Sequence, residues 1–352
     1  MFPVYILSGM FRPLQSASWR ISLATCAALL CLFQAAVAFA ADPVPQTNTT
    51  ATVIVVVGAP GEEDYGGKFN DWASRWEKAA TAGGAKWIAI GYGKEASTNE
   101  AAELKAALDK EPKTGSAELW VVLLGHGTYD GKDSKFNLRG PDISAADLAK
   151  LLEPFQRPSA VIAAFSASAP FLPKLSAKDR VVITSTRSGH EQNYSRFGEY
   201  ISGAIADPEA DLDKDGQTSL LEAYLIASRR TGEFYETEGR LATEHSLIDD
   251  NGDGLGTPAD WFRGVRPVKK AKEGAQLDGL RAHQFYLVRN EAERRLSPEV
   301  RSRRDELELA IAHLRESKAN MPEDDYYQKL ETLAVEMARL YEKSTDSPGN
   351  ER

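Results

Sequence analysis

Two sets of residues in this 352-residue chain are of types and spacings that could do chemistry. The first is His126, in Gly125-His126-Gly127, together with Ser166, in Ser166-Ala167-Ser168; each follows an apolar run. An imidazole that reaches a hydroxyl can take its proton, the opening step of acyl transfer to a nucleophile. The second set is a pair of acidic loops. Asp211-Leu-Asp213-Lys-Asp215-Gly216-Gln217-Thr-Ser219-Leu-Leu-Glu222 places oxygens at positions 1, 3, 5, 7, 9 and 12, with glycine at position 6. That is the spacing of an EF-hand calcium loop: three short acids, a backbone carbonyl at Gln217, and a long bidentate acid at the end. Asp249-Asp-Asn251-Gly-Asp253-Gly254-Leu255-Gly-Thr257-Pro-Ala-Asp260 repeats the spacing but closes with the shorter Asp260. Plainer readings stand beside both. Ser166 and Ser168 could merely satisfy backbone groups in the turn before Pro170, and each acidic loop could be a solvated Asp/Gly turn. Pro208 argues against a full helix entering the first loop.

The elements that must hold these residues alternate. Val53–Val57 is uniformly apolar, as a strand buried on both faces should be. Trp72, Trp76 and Ala79 recur at helical spacing, and Gly83-Gly84 stops that helix. Strands are predicted at 86–90, 119–124, 160–165 and 180–186, with helices opened by Asn99 and Ser144 between them. Helix and strand in alternation predict an α/β fold, a three-layer sandwich around a mostly parallel sheet. In such a sheet the active groups gather beyond the carboxyl ends of the strands, where His126 and Ser166 fall. The region from Ser195 to about Arg263 reads as helix and acidic loop without a further strand. From about Asp278 the chain reads as helical, with stripes at Leu307, Ile311 and Leu314 and at Leu330, Leu333, Met337 and Leu340, an antiparallel helical hairpin.

Composition narrows the function. Acidic residues number 51 against 42 basic ones, a net charge of -9, which opposes nucleic acid as a partner. The arginines at 294, 295, 301, 303 and 304 are interleaved with acids and read as a solvated helical face. Arg187 and Glu191 read as a local ion pair. Arg12 and Arg20 precede the apolar run Ile21 to Ala40, ending in Ala38-Phe39-Ala40, the form of an export signal at 1–40. Left uncleaved it would be a membrane anchor; either way the body lies outside the cytoplasm, secreted, periplasmic or in the envelope. Both cysteines, Cys26 and Cys31, lie in this segment, so the body has neither a disulfide nor a thiolate nucleophile.

The segments LLGHG, AAFSASAPF and ITSTRSGHE, in that strand order, resemble the caspase-like fold and, within it, legumain-type cysteine peptidases. The resemblance runs from Thr52 to about Gly254. It implies that His126 stands at the general base, that Ser166 replaces the nucleophilic cysteine, and that the N–H groups of Gly127 and Ser166 stand at the oxyanion hole. A serine hydroxyl, unlike a thiol, needs a well-placed base and an orienting carboxylate. The sequence identifies no orienter; Asp130 is the candidate in the adjacent loop.

These readings predict a linker over 41–51, a caspase-like domain over 52–265, a helical hairpin over 266–345 and a disordered tail over 346–352. The leading expectation is an exported, catalytically degenerate peptidase homologue that binds calcium and a polypeptide or protein partner in the remnant cleft. A hydrolase using a Ser166-His126 dyad is the alternative, and a structural, calcium-stabilised envelope protein the third. The oligomeric state and the role of the C-terminal helices stay open.

Overall fold

The computed structural model describes residues 50–93, 98–272 and 275–345. The expected export signal, nearly all of the linker and the expected tail lie outside the described residues. No helix among the described residues is long and apolar enough to cross a membrane.

Five parallel strands form the centre of the main sheet: β1 (Thr52–Val57), β2 (Lys86–Ile90), β3 (Leu119–Gly125), β7 (Ser159–Phe165) and β8 (Arg180–Thr184), in the order β8-β7-β3-β1-β2. Their side chains alternate between two cores. Val53, Val55, Val57, Trp120, Val122 and Leu124 face one side, where α1 (Glu63–Ala82), α5 (Phe197–Ala204) and α6 (Leu220–Thr237) pack. Ile54, Val56, Leu119, Val121 and Leu123 face the other, against α2 (Glu100–Lys110), α3 (Ala145–Leu152) and the short α4 (Leu172–Leu175). The expected three-layer α/β sandwich is the observed architecture. The expected caps are present: the Asn99 side chain accepts the N–H of Ala102 at 3.2 Å, and Ser144 that of Asp147 at 3.1 Å.

Two departures bear on the site. The stretch after Ser195 does contribute strands: β9 (Leu247–Asp249) joins β8 antiparallel and β10 (Thr257–Pro258) joins β9. At three and two residues they are too short to leave a periodic signal. A small antiparallel sheet of β4 (Gly127–Tyr129), β5 (Ser134–Phe136) and β6 (Ile143–Ser144) also follows β3 directly. A third short pairing joins β11 (Phe262–Arg263) to β12 (Arg266–Pro267).

The C-terminal helices begin later than expected. Residues 278–290 form no α-helix; Ala282, Phe285 and Leu287 are instead buried in the core under α6. After α7 (Glu291–Arg295), α8 (Pro298–Glu316) and α9 (Glu323–Thr345) make the expected hairpin. Leu330, Leu333, Met337 and Leu340 are half-buried along α9, and Arg303 of α8 pairs with Glu336 of α9 at 2.6 Å. The arginine stretch is not wholly solvated as expected. Arg304 is buried on the face that carries Leu307 and Leu314, because its position in the helix turns inward with theirs.

Candidate active site and acidic loops

Strand register puts the two candidate catalytic residues side by side. Gly125, the last residue of β3, pairs with Phe165, the last of β7, so His126 and Ser166 leave adjacent strands at the same level. Glycine is required at 127, since a Cβ there would lie 2.2 Å from the Ser166 carbonyl oxygen and 2.5 Å from a Phe165 ring carbon. Past Ser166 the chain turns through Ala167 at φ 57°, left-handed for a residue with a side chain. That turn is fastened on both sides: the Ala167 N–H donates to the Glu191 carbonyl at 2.7 Å, and the Ser134 hydroxyl donates to the Ala167 carbonyl at 2.6 Å.

The hydroxyl does not meet the imidazole. Ser166 Oγ is buried, accepts the Gly127 N–H at 3.1 Å and lies 3.2 Å from the Gly127 carbonyl, to which it donates. His126 Nε2 instead lies 3.2 Å from the Pro60 carbonyl. A carbonyl only accepts, so neutral His126 carries its proton on Nε2. Among the described residues no hydrogen bond joins His126 to Ser166. The imidazole is held by rings: Tyr65 edge-on at 4.9 Å, Phe69 at 5.1 Å and Tyr194 at 6.0 Å between centroids. Burial among them pushes its pKa below the ordinary value, with the Pro60 carbonyl and Glu62 opposing. Asp130 does not orient it. That carboxylate is exposed, and one of its oxygens accepts the N–H groups of Lys132 and Asp133.

Ser168 is structural. Its buried Oγ accepts the N–H groups of Ser185 and Thr186 at 3.0 and 3.3 Å, tying the turn after β7 to the turn after β8. The backbone-satisfying reading therefore describes both serines, Ser166 through Gly127 and Ser168 through Ser185 and Thr186.

The sequence reading missed a second imidazole at this edge of the sheet. His245 lies two residues before β9, whose Leu247 pairs with Thr184 at the end of β8. Its Nδ1 is 2.6 Å from Glu191 Oε1, and Arg187 Nε is 3.4 Å from the same oxygen. The Arg187–Glu191 pair expected from sequence is thus one arm of a three-residue cluster. Next to His245, Glu244 is buried and accepts from the Ser195 hydroxyl at 2.6 Å and from the Arg196 N–H at 2.8 Å; burial raises its pKa. The signal available was Thr243-Glu244-His245 just before the short apolar Leu247-Ile248. A shallow cavity of about 420 Å³ lies along the same edge, with Leu172, Arg187, Leu247, Leu255 and Trp261 in its walls.

The two acidic loops share one backbone design. In the first, Asp211 accepts the N–H groups of Lys214 and Gly216, Asp213 that of Asp215, and Asp215 that of Gln217. In the second, Asp249 accepts those of Gly252 and Gly254, Asn251 that of Asp253, and Asp253 that of Leu255. Positions 4 and 6 are left-handed in both. The donor sets differ. Oxygens of Asp211, Asp213 and Asp215 lie within 4.8 Å of one another. Glu222 is fully buried; it caps α6 through Ser219 and accepts the Leu212 N–H at 2.7 Å, joining the loop's start to its end. In the second loop Thr257 donates its hydroxyl to Asp278, and Asp260 is exposed in a 3-10 turn. The segment before the first loop is a 3-10 turn, Pro208–Ala210, in place of an entering helix, as Pro208 required.

Among solved structures, the chain is similar to caspase-1 from Spodoptera frugiperda, at 9% identity over 58% of this chain and 88% of that one, with a TM-score of 0.38. It is also similar to the Drosophila initiator caspase Dronc, at 14% identity over 59% of this chain and 82% of that one, with a TM-score of 0.40. No family model and no curated protein matches it.

Proposed function

We propose that this chain is an exported, catalytically degenerate homologue of the caspase-like, legumain-type peptidases, which holds a polypeptide or partner protein at the remnant cleft. The observation that supports loss of catalysis is the closed pair of contacts between Ser166 Oγ and Gly127. The hydroxyl proton is spent on a carbonyl, and the Gly127 N–H that would stabilise an oxyanion is spent on the hydroxyl. His126 gives its Nε2 proton to Pro60, and among the described residues no carboxylate is hydrogen-bonded to its ring. The cavity beside Leu172 and Trp261 supports retained binding, since a binder needs the groove without the nucleophile.

The first acidic loop is proposed to hold calcium. Its donors suit a hard cation: convergent carboxylates at positions 1, 3 and 5, the carbonyl of Gln217, and Ser219 and Glu222 at positions 9 and 12. The second loop, with Asp249, Asn251, Asp253, Leu255, Thr257 and Asp260, is the weaker candidate because Thr257 gives its hydroxyl to Asp278 and the closing acid is the shorter, exposed Asp260. Export rests on the apolar segment Ile21–Ala40.

The deciding experiment is intact-mass analysis of the folded, calcium-loaded protein after fluorophosphonate treatment. No adduct is expected. A single adduct that disappears in both Ser166→Ala and His126→Ala would replace this reading with the Ser166-His126 hydrolase. Binding is tested by fluorescence polarisation with labelled decapeptides. Leu255→Glu, exposed at the cavity wall, should abolish it, and failure of every peptide to bind wild type would leave the structural, calcium-stabilised reading.

A further inference from the structure

At the opposite edge of the sheet, the residues just before β3 and β7 face the start of α8 across a cavity of about 280 Å³. Four guanidinium groups line it: Arg281, Arg289, Arg301 and Arg304. Three have carboxylate partners. Arg281 pairs with Asp179, Arg289 with Glu118, and Arg304 with Glu293 and with Asp305. A further lining acid, Glu306, is tied to Arg303 at 2.7 Å. Arg301 differs. Only its Nη1 is engaged, donating to the carbonyls of Glu293 and Leu296, both at 2.9 Å, and among the described residues no carboxylate forms an ion pair with it. It is half-buried; Arg289 and Arg304 press on it with like charge, while the carboxylates of Glu118 and Glu293, each held by another arginine, act against them.

A half-buried guanidinium whose nearest carboxylates are held by other arginines keeps donor capacity for a further anion. We propose that this cavity is a binding site for a phosphoryl group, as the free ion or as a phosphate ester. Arg301 keeps Nε and Nη2 as an unused fork, and Arg289 is committed through Nη2 alone. The hydroxyls of Ser116 and Ser302 add neutral donors in the lining. A tetrahedral oxyanion offers acceptor oxygens in several directions at once and can engage both arginines and a serine; a planar carboxylate is spent on one fork. The chain's net charge of -9 means that attraction to phosphate is local to this cavity.

The test is a titration of the full chain with inorganic phosphate in calcium-free buffer, at constant ionic strength against chloride, read by phosphorus NMR line broadening and by melting temperature. Saturable broadening with a rise in melting temperature is expected. Arg301→Gln should weaken phosphate about tenfold or more, the loss of one charge-assisted contact. Ser302→Glu, at an exposed position on α8, should do the same by repulsion without touching the core, and Arg240→Gln, at an exposed arginine outside the lining, should bind as wild type does. Glycerol phosphate binding more tightly than phosphate would assign the site to an ester, and the reverse to the free ion. A melting curve identical in phosphate and chloride, or Ser302→Glu and Arg301→Gln both binding at wild-type strength, would overturn the proposal.

Discussion

Ser166 and Gly127 close on each other: one hydroxyl lies 3.1 Å from the amide nitrogen and 3.2 Å from the carbonyl oxygen of the same residue. A side chain in this position is neither a poised nucleophile nor a free surface group. It is a staple between the turns that end β3 and β7.

Ser166→Ala should therefore cost stability, about 1 to 2 kcal/mol, because it leaves the buried Gly127 N–H without its acceptor. Ser168→Ala should cost more, since Ser168 Oγ accepts two buried amides. Urea denaturation of the two variants gives the order directly, and equal midpoints would contradict it.

Gly127→Ala should fail or nearly fail to fold. The added methyl meets the Ser166 carbonyl at 2.2 Å, a backbone atom with nowhere to move. The expected loss is upward of about 3 kcal/mol, in the range of severe core overpacking. Circular dichroism melting against wild type reads it.

Ser166→Cys should not create a reactive thiol. With His126 Nε2 turned to Pro60, the Gly127 N–H is left to favour a thiolate against its burial, so iodoacetamide should modify the variant no faster than an ordinary cysteine of pKa about 8.5. Alkylation with an inflection well below pH 7 would show that the imidazole can reach position 166.

Stability should fall on the acid side through His126. Burial lowers its folded pKa beneath the ordinary 6.5, so the unfolded chain takes up this proton first. The contribution is fully present above about pH 6.5 and is lost as the pH falls from there through the folded value. His126→Gln should flatten this limb in urea titrations between pH 5 and 8; an unchanged limb would place the sensitivity elsewhere.

Calcium at 10 mM should stabilise the fold by about 1.4 to 2.7 kcal/mol if the first loop binds at about 0.1 to 1 mM. Asp213→Ala should remove most of that gain and Asp253→Ala little of it, because Asp253 sits in the loop that closes with the shorter, exposed Asp260. Differential scanning fluorimetry with and without calcium decides between them.

What could be read in advance follows physical reach. β1, β3 and β7 were legible because burial on both faces makes them almost wholly apolar, as in Val53–Val57, the half-buried edge strand β2 and strand β8 because an apolar run remains within each, and the caps at Asn99 and Ser144 because capping is a contact over three residues. That His126 and Ser166 share one edge of the sheet also followed, since the ends of neighbouring parallel strands lie together. The tilt of His126 to Pro60 did not follow: it is set by Tyr65, Phe69 and Tyr194, brought together only by folding. Leu247–Asp249 escaped for another reason, being a strand only by virtue of β8 beside it. His245 then reaches Glu191 across 54 positions of chain, beyond any local pattern.

The edge strand β10 has a further consequence for the molecule in solution. It has two residues, one of them Pro258, which has no N–H to offer. A second chain arriving at this edge finds no ladder to extend, so the shortness of the strand and its proline act together as a guard against sheet-to-sheet aggregation.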